Sequence, residues 1–411
     1  MLLELGSKNC DSQWGQPART WTYITLENRS AIFYGRSRME KNKGLVLATF
    51  LLLLAFMAAA AQVRWKGKIV KEGDAAIVLN TRDPIYREPI LTLKEELALG
   101  GEKAQGEAAY SSARRIAVDK DGNIYVGDSW QACIKVFDKA GAYLRTIGRR
   151  GQGPGELTLV DSIAVSRDNQ ELIVGDIGKL IVFDLQGQFK RNLTTSRLNS
   201  PDLSDGRGNV FVHISDIREK RSIYRVFGPD MATNLADIAI IPNPPDLNMY
   251  SPRAYWILDP QGRLVFGYPK TYEISYYDEH FKVVKKIRRE YEPARVTDED
   301  KKIYLKRSNP PGAKGPPKYP CPSDHAAFRS FFSDDQGRLF VQTWERTPDG
   351  KQDIHDVYDA EGRFFGRFPL NAHPDLINPT PTILKNNKLY TVEVDEEGYE
   401  IVKRYSVAWK H

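Results

Sequence analysis

A short repeated unit constrains the fold of this chain more than any other feature. The unit is a tight polar turn followed by a strand with alternating apolar residues, as in DKDGNIYVGD from Asp119. Period-2 alternation after a turn rich in Asp and Gly predicts a β-hairpin. Related units begin at Ser166, Asp205, Asp259, Asp334 and Leu384. Six occurrences in one chain predict a repeat architecture.

A second hairpin unit follows most copies of the first. It reads IKVFDKAGAYLRTIG in Ile134–Gly148, LIVFDLQGQFKRNL in Leu180–Leu193 and ISYYDEHFKVVKKI in Ile274–Ile287. Each repeat therefore contains four short strands. Where no insertion intervenes, the repeats are spaced by about 40–45 residues, which suits a four-stranded propeller blade. The sequence predicts an all-β fold, a six-bladed β-propeller with four-stranded antiparallel blades.

The last repeat, Thr380–Lys410, lacks a fourth strand before the chain ends. The segment that precedes the first repeat aligns with the outer strand and link of a complete repeat, and it places Leu91–Leu99 at the outer-strand position. We therefore expect an N-terminal strand to complete the last blade. Closure of this kind leaves no open edge between the first and last repeats.

One long segment, GDSWQACIKVFDKAGAYLRTIGRRGQGPGEL, resembles the NHL-repeat type of six-bladed β-propeller found in secreted bacterial proteins. The resemblance covers about residues 90–410, and IKVFDKAGAYLRTIG followed by GQGPGEL is its most specific part. It implies the propeller fold and a tendency to bind a ligand on one face. It implies no reaction, because related propellers host many activities.

The N-terminal region indicates export. Residues 39–61 carry two lysines, then the uncharged run Leu45–Ala61, which ends in alanines that suit signal-peptide cleavage. We expect a signal peptide and a periplasmic or extracellular bacterial protein. An uncleaved membrane anchor is the alternative, and membrane contact is expected only in that case. Translation is expected to start at Met39, with residues 1–38 an upstream extension, and residues 62–411 form the single propeller domain.

The composition limits the classes of partner. Hydrophobic residues make up 41% of the chain and aromatic residues 11%, enough for a sizeable core. Residues 62–411 hold 52 Lys and Arg against 49 Asp and Glu, a net charge of +3. So small an excess argues against a nucleic-acid binder. We expect a monomer whose ligand is a protein, a peptide or a glycan.

The long connections indicate which face carries the ligand. The links between blades and the loops between second and third strands share one face, which we call the loop-rich face. The longest link, Tyr291–His325, includes a predicted short helix at Glu299–Arg307. Long loops within a compact domain are often functional. A surface insertion without a role is the alternative.

Arginine, tryptophan and aspartate residues at blade starts and turns supply the candidate binding site. Arg pairs with carboxylate, phosphate or sugar groups, Trp stacks on ligands and Asp positions the arginines. Ordinary loop charges and salt bridges between blades are the alternative interpretation. The candidate ligand-binding residues are Arg115, Trp130, Asp161, Arg218, Arg253, Arg329 and Trp344.

No catalytic motif stands out in the sequence. Neither G-x-S-x-G nor H-E-x-x-H occurs, and no catalytic residue, resident metal or cofactor is predicted. The first hypothesis is an exported binding module without enzyme activity, and an envelope scaffold differs from it only in its partner. The alternative is a lactonase-like metal-dependent hydrolase or lyase with calcium or zinc in the central channel. Histidines that could reach such a metal are His213, His325, His355 and His373.

Overall fold

The computed structural model describes residues 64–410 except 103, 114, 167, 169, 195–198, 206, 245–247, 309–319 and 372–380, with side chains of residues 199–203 also left undescribed. The described part contains 26 strands in six sheets, one α-helix and one short 3-10 helix. The predicted six-bladed, nearly all-β propeller is confirmed. The predicted extension at 1–38, the signal peptide at 39–61 and His373 lie outside the described residues. No helix in the described residues is long and apolar enough to cross a membrane.

The first three blades each contain four consecutive antiparallel strands. Blade 1 comprises β4 (Arg115–Val118), β5 (Ile124–Asp128), β6 (Cys133–Phe137) and β7 (Tyr143–Ile147). Blade 2 comprises β8 (Ser162–Val165), β9 (Glu171–Asp176), β10 (Lys179–Asp184) and β11 (Phe189–Thr194). Blade 3 comprises β12 (Asn199–Ser204), β13 (Val210–Asp216), β14 (Arg221–Phe227) and β15 (Asn234–Pro242).

The other three blades follow the same order, with N-terminal strands added to two of them. Blade 4 comprises β16 (Tyr255–Leu258), β17 (Leu264–Gly267), β18 (Glu273–Tyr277) and β19 (Val283–Arg289), extended by β1 (Lys68–Glu72) and β2 (Ala75–Asn80). Blade 5 comprises β20 (Ser330–Ser333), β21 (Leu339–Arg346), β22 (Gln352–Tyr358) and β23 (Phe364–Asn371). Blade 6 comprises β24 (Thr382–Lys385), β25 (Lys388–Val394), β26 (Glu400–Trp409) and β3 (Leu91–Gly100).

The recurring Asp-x-x-Gly turns have a common physical basis. In the turn of blade 1, one carboxylate oxygen of Asp119 accepts the backbone N–H groups of Asp121 and Asn123, both at 2.9 Å. Gly122 then adopts a φ of 87°, which side chains with a Cβ rarely tolerate. The aspartate stabilises the turn through these hydrogen bonds, and the glycine adopts the left-handed backbone conformation that the turn requires. Equivalent aspartate bonds form at Asp138, Asp184, Asp205, Asp259, Asp278 and Asp334.

The N-terminal strand closes the ring as the sequence predicted. β3 pairs antiparallel with β26 from Ile401 opposite Gly100 to Trp409 opposite Leu91. Blade 6 therefore contains four strands although the chain ends after its third. The core lies mainly between the blades, where clusters of buried Val, Ile, Leu, Phe and Tyr join each sheet to its neighbour. The strand pairs of the described residues lie between residues 68 and 409.

The hairpin β1–β2 was not predicted from the sequence. β2 pairs in parallel with β19, the outer strand of blade 4. Asn80, at the end of β2, fixes this position, since its side-chain amide donates to Gly362 O at 3.0 Å and accepts from Phe364 N at 2.7 Å. The hairpin thereby joins blade 4 to blade 5.

The long link after blade 4 contains α1 (Asp298–Ser308), which confirms the predicted helix. Thr297 and Asp300 form a capping box, in which Asp300 N donates to the Thr297 hydroxyl at 3.1 Å and the Asp300 carboxylate accepts Thr297 N at 3.0 Å. The phenol of Tyr250 donates to Asp300 O at 2.7 Å. These bonds hold the helix on the loop-rich face of blades 4 and 5.

Candidate functional site

A small pocket with a cavity volume of about 20 Å³ lies on the loop-rich face at the seam between blades 4 and 5. It brings together three of the seven candidate residues, Arg253, Arg329 and Trp344. Arg253 and Arg329 lie in the links that lead into β16 and β20, whereas Trp344 belongs to β21. The remaining wall consists of Met249, Ser251, Pro252, Tyr255, Pro269, Ala326 and Phe328.

Arg329 forms the buried side of the pocket. Its Nη1 donates to Asp353 Oδ2 at 2.8 Å, and its guanidinium lies 5.1 Å from the centre of the Trp344 ring. Burial lowers the pKa of Arg329, and the charge of Asp353 opposes that change. An arginine nevertheless stays charged at neutral pH. Asp353 also binds Arg346 Nε at 3.3 Å, so one carboxylate balances two guanidinium groups.

Arg253 forms the open side. It is exposed and, among the described residues, has no carboxylate partner. Burial raises the pKa of the neighbouring Tyr255, while the charges of Arg329 and Arg253 oppose the rise. The Tyr255 phenol thus lies within electrostatic reach of both arginines and remains a neutral donor at pH 7. The site combines two cations with one hydroxyl.

His213 adds a neutral imidazole near this cluster. Burial lowers the pKa of His213, and the charge of Arg253 lowers it further. The ring stacks on Tyr224 at 4.9 Å, and its buried Nε2 has no hydrogen-bond partner in the described structure. His213 therefore contributes no positive charge at neutral pH.

Trp344 is less open than the sequence suggested. The ring of His325 stacks on it at 4.1 Å with an interplanar angle of 4°, and Tyr250 meets it edge-on at 5.6 Å. His325 in turn contacts the Asp300 carboxylate at 3.2 Å through Nε2. The long link thus covers part of the indole, which supports the pocket wall and leaves little area for stacking on a ligand.

The other four candidate residues lie away from this pocket. Arg115 and Asp161 form an ion pair of 3.5 Å between blades 1 and 2, and the Arg115 Nε also donates to Asp161 O. Trp130 projects from the turn after β5, and Arg218 from the turn after β13. They share the loop-rich face, but they border blades 1 to 3.

Sequence reasoning missed Tyr255, Asp353 and Arg346 as parts of the site, and it named His213 only as a candidate ligand of a channel metal. Tyr255 is the first residue of β16, so an inner-strand position beside Arg253 could have indicated it. Asp353 follows Arg329 by 24 residues and meets it only through the pairing of β20, β21 and β22. No local motif marks such a contact.

The residues of the inner strands can be compared with the His, Glu, Asp or Asn residues that an active site in the central channel would require. Inner strands β4, β8, β16, β20 and β24 read RIAV, SIAV, YWIL, SFFS and TILK. These residues are apolar, hydroxyl-bearing or basic. Among the described residues, no group of three or more His, Cys, Asp or Glu is placed to hold a metal ion.

The comparisons with known proteins agree with the fold. Residues 108–235, which span blades 1 and 2 and most of blade 3, match the DUF5128 family, described as a 6-bladed beta-propeller. No curated protein is significantly similar to the chain. The NHL-type resemblance stays a prediction.

Solved structures of low sequence identity resemble this chain. A Bacteroides fragilis protein provisionally described as exported has 14% identity, covers 82% of this chain and 100% of its own, and gives a TM-score of 0.50. A duf4221 family member from Bacteroides vulgatus has 13% identity, with 79% and 100% covered and a TM-score of 0.49. A Xanthomonas campestris gluconolactonase has 13% identity, with 83% and 95% covered and a TM-score of 0.41. The first of these shows similarity of fold alone, and the two lower scores support no conclusion.

Proposed function

We propose that this protein is an exported six-bladed propeller that binds a protein, peptide or glycan ligand on its loop-rich face. The pocket between blades 4 and 5 is proposed to hold an anionic group of that ligand. The observation that carries this proposal is Arg253, an exposed arginine without a carboxylate partner among the described residues, beside the buried Arg329 and the phenol of Tyr255.

The local charge favours an anion. Arg253, Arg329 and Arg346 supply three guanidinium groups in or directly behind the pocket, and Asp353 is the carboxylate that Arg329 and Arg346 share. Guanidinium groups bind carboxylate and phosphate through paired hydrogen bonds. The cavity volume, about 20 Å³, is far below that of a typical small-molecule site. It suits one charged group of a larger ligand.

The residue types of five of the six inner strands suit binding better than catalysis. A hydrolase or lyase in the channel needs several His, Glu, Asp or Asn side chains at one depth. The five inner strands with described side chains present apolar, hydroxyl and basic residues instead, whereas β12 reads NSPDLS and includes Asn199 and Asp202. Export to the periplasm or beyond rests on the apolar segment Leu45–Ala61.

Titration calorimetry of residues 62–411 with acetate, inorganic phosphate and glucuronate tests the pocket. Replacing Arg253 by Ala should weaken binding of at least one of these anions about tenfold or more, since a charge-assisted hydrogen bond is lost. Arg253→Lys should retain part of the affinity. Arg207→Ala, at the opposite hairpin face of blade 3, is the control. Equal anion binding by wild type and Arg253→Ala, or no binding by the wild type, would contradict the proposed pocket.

A further inference from the structure

Large apolar side chains are exposed at corresponding turns of three consecutive blades. Trp130, Ile177 and Ile217 follow the second strands of blades 1, 2 and 3 and are 73%, 52% and 72% exposed. We call these three residues the apolar rim. Single exposed apolar residues are common on protein surfaces, whereas neighbouring exposed apolar residues that form a patch mark interaction sites.

Buried aspartates hold the first two of these turns rigidly. The Asp128 carboxylate accepts the backbone N–H groups of Trp130 and Gln131, both at 2.9 Å. The Asp176 carboxylate accepts Ile177 N at 2.7 Å and Thr158 N at 2.8 Å. Because these turns are already ordered, a partner that binds there loses little conformational entropy of the propeller.

The link between blades 1 and 2 fills the space between Trp130 and Ile177. Arg150 donates from Nη2 to the carbonyl oxygen of Trp130, and Nζ of Lys179 donates to Glu156 O at 3.0 Å. The link therefore contacts the Trp130 turn at one end and the Ile177 turn at the other. These contacts make the surface continuous across two blades.

Charged side chains surround the apolar rim. Asp128 and Asp176 are buried and serve backbone N–H groups and a lysine. Arg150, Arg218 and Lys220 are exposed and form no salt bridge among the described residues, although Asp216 acts electrostatically on Arg218 and Glu219 is exposed on the same turn. At these turns the three exposed cations outnumber the exposed carboxylate of Glu219. The surface left to a partner is apolar with a positive border.

We propose that the apolar rim binds a polypeptide that carries apolar side chains beside Asp or Glu residues. This inference rests on the proposed function, since it identifies the class of ligand for the same loop-rich face. Sugar rings stack on aromatic side chains, whereas Ile177 and Ile217 are aliphatic and suit Leu, Ile or Phe side chains. The positive border matches carboxylates that flank such residues.

Fluorescence anisotropy with labelled synthetic dodecapeptides tests this proposal. One peptide set combines three Leu or Phe with three Asp or Glu, a second replaces the acids by Lys, and a third keeps the acids but replaces the apolar residues by Ser. Only the first set should bind well. Trp130→Ala and Ile217→Ser should each weaken that binding about tenfold, as loss of a buried anchor does at interfaces. Leu144→Ser, which removes an exposed apolar residue from β7, is the matched control.

Three results would overturn the proposal. They are equal binding of the three peptide sets, unchanged binding by both rim variants, and rim-dependent binding of vesicles of phosphatidylglycerol and phosphatidylcholine in place of the peptides. The anion titration of the Arg253 pocket is independent of these measurements. If the anion titration contradicts the Arg253 pocket while the acidic apolar peptides still bind, only the pocket is refuted. The reverse outcome would refute only the rim.

Discussion

His355 offers a direct test of the energetics of this fold. It lies in β22, is 4% exposed, and sits between Phe332 and Phe368 with ring-centre distances of 6.0 and 6.4 Å. Its buried Nδ1 has no hydrogen-bond partner in the described structure. Burial lowers the pKa of His355 from 6.5 to about 4, although the charge of Asp353 acts in the opposite direction. A proton on this ring is therefore costly in the folded protein.

The direction of the pH effect follows from this pKa. Above pH 6.5 the imidazole is neutral in both the folded and unfolded states. As the pH falls from 6.5 towards 4, His355 becomes protonated in the unfolded chain but stays neutral in the folded protein. The free energy of unfolding therefore decreases. One pKa unit corresponds to about 1.4 kcal/mol, and the loss attributable to His355 between pH 7 and pH 4.5 is therefore about 2.5 kcal/mol.

Urea unfolding of wild type and His355→Phe at pH 7 and pH 4.5 measures this effect. Phe occupies a similar volume between the two aromatic neighbours and does not titrate. Acid also weakens carboxylate interactions, for example at Glu171, whose arginine and lysine partners lower its pKa to about 2. Those losses are common to both proteins and cancel in the difference. Wild type should lose about 2.5 kcal/mol more than the variant. Equal losses would refute the assignment of a buried, neutral His355.

Two further substitutions test the packing of the ring by urea unfolding. Asp356→Ala leaves two buried or half-buried arginines without their shared carboxylate and should lower the free energy of unfolding by about 3–5 kcal/mol. Loss of the exposed Glu292 should lower it by less than about 1 kcal/mol. Similar values for the two variants would contradict a buried charge network. Gly141→Ala places a Cβ 2.7 Å from Leu97 Cδ1 at a φ of 91° and should lower the free energy of unfolding by about 2–3 kcal/mol. The control, Gly73→Ala, has no atom within 4 Å of the new Cβ and should lower it by about 1 kcal/mol. Equal costs at the two glycines would show that β3 does not pack on this turn.

The blade architecture could be predicted because its determinants are local. An aspartate that accepts two backbone N–H groups and a glycine with positive φ lie within four residues of each other, as at Asp119 and Gly122. The alternation of apolar and polar residues in the strands beside each turn indicates the rest of each hairpin. Ring closure by Leu91–Gly100 was also predictable, since the last repeat lacked one strand and the N-terminal segment aligned with that position.

The added hairpin and the pocket depend on contacts between distant segments. β2 joins β19 through a parallel pairing that spans about 200 residues, and its position depends on Asn80 contacting Gly362 and Phe364. A short apolar strand in the sequence does not specify which sheet it will extend. The pocket depends in the same way on the docking of the long link. His325 stacks on Trp344 and contacts Asp300, which also belongs to the capping box of α1.

The near-neutral composition of the propeller domain does not argue against an anionic ligand. Its net charge of +3 counts every aspartate equally, but many aspartates never reach the surface. Asp119, Asp128, Asp176 and Asp334 are each at most 2% exposed and bind backbone N–H groups of turns. Several cations, such as Arg253, remain exposed without a carboxylate partner among the described residues. The turns that build the blades thus withdraw negative charge from the surface and leave positive regions that the overall charge conceals.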